Sequence, residues 1–305
     1  MDTPTRPAPG RPASQLGCKC GENPLWHPEQ RAILWIDIPT GRLFRLPTGA
    51  DGRPVEGAEA ETIHGPGPAV GAVSLEADGA LLLLGQDGDV DRWEDGEVTR
   101  VHSGLCPGTR FNDCLADPAG RLFSGTMSNW VDGEPDMSGK LFRLDPDGSH
   151  RVVGEGFGIP NGMGFTPDGR FLYFTDTTPG RIYRYAYDAD TGDLSDREVF
   201  FEEEGANCDG MCMDSEGHLW SARWGGHGVW RHDPATGEAR KAVEVPAEAT
   251  TAIAFAGEGP GVAYVTTAKG DPDDPESKPD GTLYLVELPG VEGAVRHRSR
   301  VALRQ

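Results

Sequence analysis

Four oxygen-bearing side chains, Glu22, Asn112, Asn161 and Asp209, share one spacing: each lies eight residues before a turn residue, namely Gln30, Gly120, Gly169 and Gly217. The same step back from Gly79 reaches Gly71, and from Gly259 it reaches Thr251. If a fold gathers the four, two carboxylates and two amides meet, and without a partner they repel or stay underpaired. A divalent cation resolves that conflict, because carboxylate and amide oxygens are hard donors suited to Ca²⁺, Mg²⁺ or Mn²⁺. Zinc more often takes nitrogen or sulfur, although oxygen-only zinc sites occur. The competing reading is local: Asn161-Gly162 and Asp209-Gly210 are turn dipeptides, and an Asx side chain commonly caps its own turn. That suffices for one such residue, whereas four at one register favour a shared cation.

Convergence of this kind needs a repeated element. The turns lead into apolar runs: "HPEQRAILWID", "EADGALLLLGQ", "DPAGRLFSGTM", "TPDGRFLYFTD", "DSEGHLWSARW" and, weakest, "GEGPGVAYVTT". A second element follows each run, as in "GRLFRL" (41–46), "GRIYRY" (180–185) and "GTLYLV" (281–286), and five of the six carry arginine at the fifth position: Arg45, Arg92, Arg143, Arg184 and Arg231. The turn positions are 49, 41, 49, 48 and 42 residues apart, a period that suits four short strands per unit. Helical solenoids of similar period would show a 3.6-residue pattern, which these segments lack. The expected fold is all-β, a six-bladed β-propeller with four antiparallel strands per blade. The first strand of each blade is then innermost, and the six equivalent positions ring the central channel as Glu22, Gly71, Asn112, Asn161, Asp209 and Thr251.

Composition agrees. Among 305 residues, 43 glycines and 25 prolines are spread along the chain, which favours short strands and turns. No apolar run approaches the ~20 residues that span a bilayer. A formal net charge of −21 repels nucleic acid and anionic membranes, so neither is an expected partner. The N-terminal "MDTPTRPAPGRPAS" has no apolar core of a secretory signal. Residues 1–15 are expected to be a disordered arm, and 16–305 a single propeller domain of cytoplasmic location, monomeric or a small homo-oligomer. Cys18, Cys20, Cys106, Cys114, Cys208 and Cys212 read as reduced, mostly buried thiols, since their spacings miss the usual zinc patterns. The segment "SQLGCKC" (14–20) is a candidate for the strand that closes the ring. A polar loop at 128–139, "SNWVDGEPDMSG", is a candidate lid or a plain surface excursion; the insertion at 269–281 receives no role.

The segments "GENPLWHP", "RFNDCLADPAGRLFSGTM", "IPNGMGFTPDGRFLYFTDT" and "CDGMCMDSEGHLWSARWGG" resemble, in order and over about residues 16 to 290, the signature segments of the senescence marker protein/gluconolactonase/luciferin-regenerating family. The resemblance implies a six-bladed propeller that hydrolyses sugar lactones with one divalent metal. It implies Glu22, Asn161 and Asp209 as metal ligands, Asn112 facing the substrate, and Arg110 holding substrate hydroxyls. Calcium is the first expectation, with zinc, manganese, magnesium or iron as alternatives. The chain departs from the family's patterns in places. Ser128, Asn129 and Trp130 follow Thr126-Met127 where animal members carry an acid, "GENP" stands for "GEGP", and Cys114 replaces a glycine.

The expected mechanism is metal-assisted lactone hydrolysis of a small aldonolactone such as glucono-, xylono- or arabinono-lactone. The metal polarises the carbonyl. Asp209 is the candidate general base, with a metal-bound hydroxide as the competing one. Arg110 and Asn112 orient hydroxyls, and Trp130 stacks on the sugar if the lid closes. Trp224 reads as a blade-core residue. The alternatives from other classes are a non-enzymatic calcium-binding propeller and a phosphotriesterase-like hydrolase. Arg110 favours an enzyme, because a pure calcium site gains nothing from a nearby guanidinium.

Overall fold

Gly79, Gly120, Gly169 and Gly217 adopt left-handed backbone, with φ of 95°, 86°, 67° and 88°. Glycine makes this conformation at little cost, so the chain reverses there between the first two strands of a unit. The computed structural model describes residues 8–14, 16–132, 134–269 and 280–302. Its sheets follow the repeats: six four-stranded antiparallel sheets, one per unit, apart from a two-stranded hairpin of Trp130–Val131 and Glu134–Pro135. The inner strands of blades 1 to 6 are Gly21–His27, Val70–Leu75, Phe111–Ala116, Pro160–Phe165, Cys208–Met213 and Thr250–Phe255. Each touches the inner strand of the next blade, and the sixth touches the first, so the circle is closed. The chain is a six-bladed β-propeller.

Continuous apolar runs are explained by burial on both faces of each blade. Leu82 and Leu84 of blade 2 pack with Phe111, Leu122 and Phe142 of blade 3. Ile33, Trp35 and Phe44 of blade 1 pack with Tyr264 and Leu285 of blade 6. Each large side chain so buried is worth roughly 1.5–3 kcal/mol. The recurrent arginines each pair with an acid of their own blade. Arg45 pairs with Glu61 at 2.7 Å, Arg92 with Asp78 at 2.9 Å, Arg143 with Asp145 at 3.0 Å and Arg231 with Asp214 at 2.9 Å, and Arg184 pairs with Glu198.

The ring closes upstream of the expected segment. Arg11–Pro12, not residues 14–20, forms the outer strand of blade 6, pairing with Leu285 and Tyr284. Gly10 N–H and Ala13 N–H bond Glu244 O and Leu283 O at 2.9 and 2.8 Å, so this part of the expected arm lies against blades 5 and 6. A further strap, residues 292–302, runs beneath the turn end of the channel. It bonds Met213 and Ser215 of blade 5, Pro24 and Glu29 of blade 1, Leu75, Glu76 and Ala77 of blade 2, and Gly120 of blade 3. A pocket of about 90 Å³ remains between strap and inner strands, lined by Asp113, Met163, Met211, Cys212 and Arg296 among others. Most of the 269–281 insertion lies outside the described residues. Among those described, no helix is long and apolar enough to cross a membrane.

Candidate active site

Every inner strand carries one extra residue at the ring register. The pairing shifts between Glu22 and Leu25, Val70 and Ala72, Phe111 and Cys114, Pro160 and Met163, Cys208 and Met211, and Thr250 and Ala252. Such a bulge leaves the ladder and re-aims its side chain, which is how the strand entries bring Glu22, Asn112, Asn161 and Asp209 to one ring. Close approach of the inner strands permits this. A Cβ on Gly162 would stand 2.2 Å from Met211 N, and one on Gly71 would stand 1.8 Å from Phe111 O and 2.9 Å from Arg110 Nη1.

Glu22, Asn112, Asn161 and Asp209 are all buried, between 5 and 7% exposed. Asn112 Nδ2 donates to Asn161 Oδ1 at 3.2 Å and to Pro160 O at 2.8 Å. Arg110 Nη1 donates to Asn112 Oδ1 at 2.6 Å and to Phe111 O at 2.9 Å. Thr251, the sixth member, turns its hydroxyl to Gly21 O at 2.6 Å and is spent on the scaffold. Trp130 lies in the short hairpin that leaves blade 3 after Thr126, at the ring end; its side chain lies outside what is described. The base of that loop is tied beside the site, with Met127 N bonding Arg110 O at 3.1 Å. Trp224, expected in a blade core, is instead 42% exposed. It follows Arg223 at the ring end of blade 5, where the chain has already left the buried strand.

The acids at the ring strain against each other. Burial, then Asp209, then Asp113 push the Glu22 carboxyl well above its usual range, against the Asn23 N–H and Arg110. Burial and Asp113 do the same to Asp209, against the Gly210 N–H, the Asn161 amide and Arg110. Asp113, one residue beyond Asn112 and facing the lower pocket, is pushed up to about 6 by burial, with the Cys114 N–H and Arg296 opposing. Among the described residues neither Glu22 nor Asp209 has an ion-pair partner, and Asp209 Oδ1 is buried without a hydrogen-bond partner. A hard cation fits this donor set. No three His, Cys, Asp or Glu side chains form a metal-binding group among the described residues, and the Asn161 amide oxygen is a further hard donor at the ring.

Residues outside the ring register also shape the site. Asp37 and Asp176 end the second strands of blades 1 and 4. Asp37 Oδ1 accepts from Cys20 N at 2.9 Å, and Asp176 Oδ1 accepts from Gly158 N and Ile159 N at 3.1 and 3.0 Å. Each fixes the strand entry just ahead of Glu22 or Asn161. Their signal was the shared final Asp of "HPEQRAILWID" and "TPDGRFLYFTD". Asn23 reaches from its left-handed backbone, φ 49°, to Val73 N at 3.1 Å and Asp113 Oδ1 at 3.3 Å, a link between blades whose signal was the "GENP" departure from "GEGP".

Residues 20–269 match the model of the SMP-30/Gluconolactonase/LRE-like region, and the chain belongs to that family. It is 44% identical over 297 residues to pentonolactonase XacC of Haloferax volcanii, covering 94% of this chain and 96% of that protein. It is 31% identical over 289 residues to regucalcin of Homo sapiens, covering 90% and 93%. Among solved structures it resembles regucalcin of Agrobacterium tumefaciens, described as a calcium-binding protein. The TM-score is 0.81 at 27% identity, over 97% of this chain and 98% of that one.

Proposed function

We propose that this member of the SMP-30/gluconolactonase/LRE-like family hydrolyses a small sugar lactone, a five- or six-carbon aldonolactone, to the aldonic acid, with one divalent cation at the ring. The observation that carries the reading is the Asp209 carboxylate. It is buried, it opposes Glu22, one of its oxygens has no partner, and Arg110 lies beside it without pairing to either acid. The relative named pentonolactonase supports the substrate class, and the solved relative described as calcium-binding supports calcium as the first choice of ion.

Glu22, Asn161 and Asp209 would hold the cation, which when bound supplies Lewis-acid polarisation of the lactone carbonyl. Arg110 uses one guanidinium nitrogen on Asn112 and Phe111, so its remaining N–H groups face substrate hydroxyls as a planar fork. Asn112 has spent its Nδ2 protons and keeps one Oδ1 lone pair for a hydroxyl. Water attacks the carbonyl carbon as the Asp209 carboxylate takes its proton. The ring C–O bond then breaks, and Asp209 returns that proton to the released ring oxygen, which becomes a hydroxyl.

Initial rates in a pH-indicator assay test the reading, with chelator-stripped protein reloaded with Ca²⁺, Mn²⁺, Zn²⁺, Mg²⁺ or Fe²⁺. Xylono-, arabinono- and gluconolactone should be hydrolysed faster than a long-chain acyl lactone or a paraoxon-type ester. Glu22→Ala and Asp209→Ala should lose calorimetric Ca²⁺ binding and turnover while melting as folded propellers. A preference for the phosphotriester or acyl lactone overturns the substrate class. Undiminished Ca²⁺ affinity in both variants overturns the cation site.

A further inference from the structure

An amide side chain presents oxygen on one side and nitrogen on the other, and only the oxygen binds a cation. At Asn161 a neighbouring hydroxyl makes the choice. Thr177 Oγ1 lies 2.6 Å from Cys208 O and 3.1 Å from Asn161 Nδ2. A backbone carbonyl only accepts, so the single hydroxyl proton of Thr177 is committed to Cys208 O. The hydroxyl can then only accept from Asn161. Nitrogen must face Thr177, and Oδ1 is left in the ring, where Asn112 Nδ2 meets it at 3.2 Å. An Asn161 turned the other way would set its oxygen against a hydroxyl with no proton left to give.

We infer that Thr177 is a positioning residue that selects the oxygen-inward orientation of Asn161 and so tunes cation affinity. The inference rests on the proposal that Asn161 is a cation ligand. Thr177 is itself well fixed. Its N–H bonds Ile159 O at 3.0 Å, and the preceding Asp176 carboxylate holds Gly158 N and Ile159 N. The hydroxyl also ties blade 4 to blade 5, since Cys208 immediately precedes Asp209. The register equivalents in the other blades, Ile38, Gln86, Met127, Trp224 and Ala268, carry no hydroxyl. Asn112 has no need of one, because Arg110 donates to its oxygen and Pro160 O accepts from its nitrogen.

The test is calorimetric titration of the chelator-stripped full chain with Ca²⁺, beside melting curves without the ion. Thr177→Val keeps the shape and removes the hydroxyl; it should weaken Ca²⁺ binding roughly 10- to 100-fold. Thr177→Ser should restore most of that affinity. In an Asn161→Asp background, where either atom facing inward is oxygen, Thr177→Val should cost little. Should Thr177→Val not fold, Thr177→Ala carries the same comparison. Undiminished binding in Asn161→Ala would sink the ligand assignment beneath the inference. Loss in Asn161→Ala with unchanged binding in Thr177→Val overturns this inference alone. An equal loss from Thr177→Val in both backgrounds also overturns it, because that marks a scaffold role.

Discussion

Arg110 occupies a place that its neighbour leaves empty. Gly71 is blade 2's member of the ring, and a Cβ there would meet Arg110 Nη1 at 2.9 Å. The missing side chain lets a guanidinium from the approach to blade 3 enter the gap. Arg110→Ala should therefore lower kcat/KM for a hydroxylated lactone roughly 10- to 1,000-fold, about 1.4–4 kcal/mol of transition-state binding. Calorimetric Ca²⁺ affinity should stay near the parent's. A variant that loses the ion and keeps its rate per bound ion would reverse the assignment. Glu22, Asn112, Asn161 and Asp209 were legible as a group, because a fixed count to a turn survives folding unchanged. Dividing them between cation and substrate rests on the family resemblance, since the count treats them alike. Asp113 and Thr177 were illegible for another reason: they act across blades, on atoms distant in sequence.

At the scale of the strand, two-sided burial writes itself into the sequence as unbroken apolar runs, and so the blades were readable. The bulges were not, because an extra residue in a strand looks like any other. The closing strand was misplaced because a two-residue edge pairing at Arg11–Pro12 uses backbone groups and leaves no side-chain pattern. Full burial also sets the response of one blade to acid. His232, on the third strand of blade 5, is completely buried, meets Phe201 edge-on at 4.7 Å, and among the described residues has only the Gly237 backbone as a weak polar neighbour. Burial first, then Arg223, hold its pKa down to about 4 from an ordinary 6.5. The unfolded chain thus binds this proton at higher pH than the fold does. The contribution is fully present above pH 6.5 and is lost as pH falls towards 4, by about 3 kcal/mol. His232→Phe should flatten that part of the curve, read from urea midpoints above pH 6.5 and near pH 4. If parent and variant lose stability in parallel across the range, His232 is not the cause.

The whole molecule is held shut at both seams by its terminal segments. Beneath the turns the strap bonds Ala294 N to Met213 O, Ser299 N to Leu75 O and Arg300 N to Gly120 O, each at 2.9 Å, with Arg298 on Glu29 besides. Removing residues 292–305 should cost several such bonds, at roughly 1 kcal/mol each net, and open the lower pocket. A lower melting temperature and new binding of a hydrophobic dye are the expected signs, and an unchanged melt would show the strap to be decoration. The seam has a consequence for how the protein comes into being. Strands within a blade meet across short turns, and each blade can form as soon as its residues exist. Arg296 finds Pro24 only across 272 positions, and bringing such distant ends together costs roughly 5 kcal/mol of chain entropy on its own. A chain leaving the ribosome is for most of its synthesis a row of packed blades around a channel that is not yet closed. Glu22 is made among the first residues and waits for the last blade before it has a wall on either side, so an interrupted chain can be well folded over much of its length and still have no site.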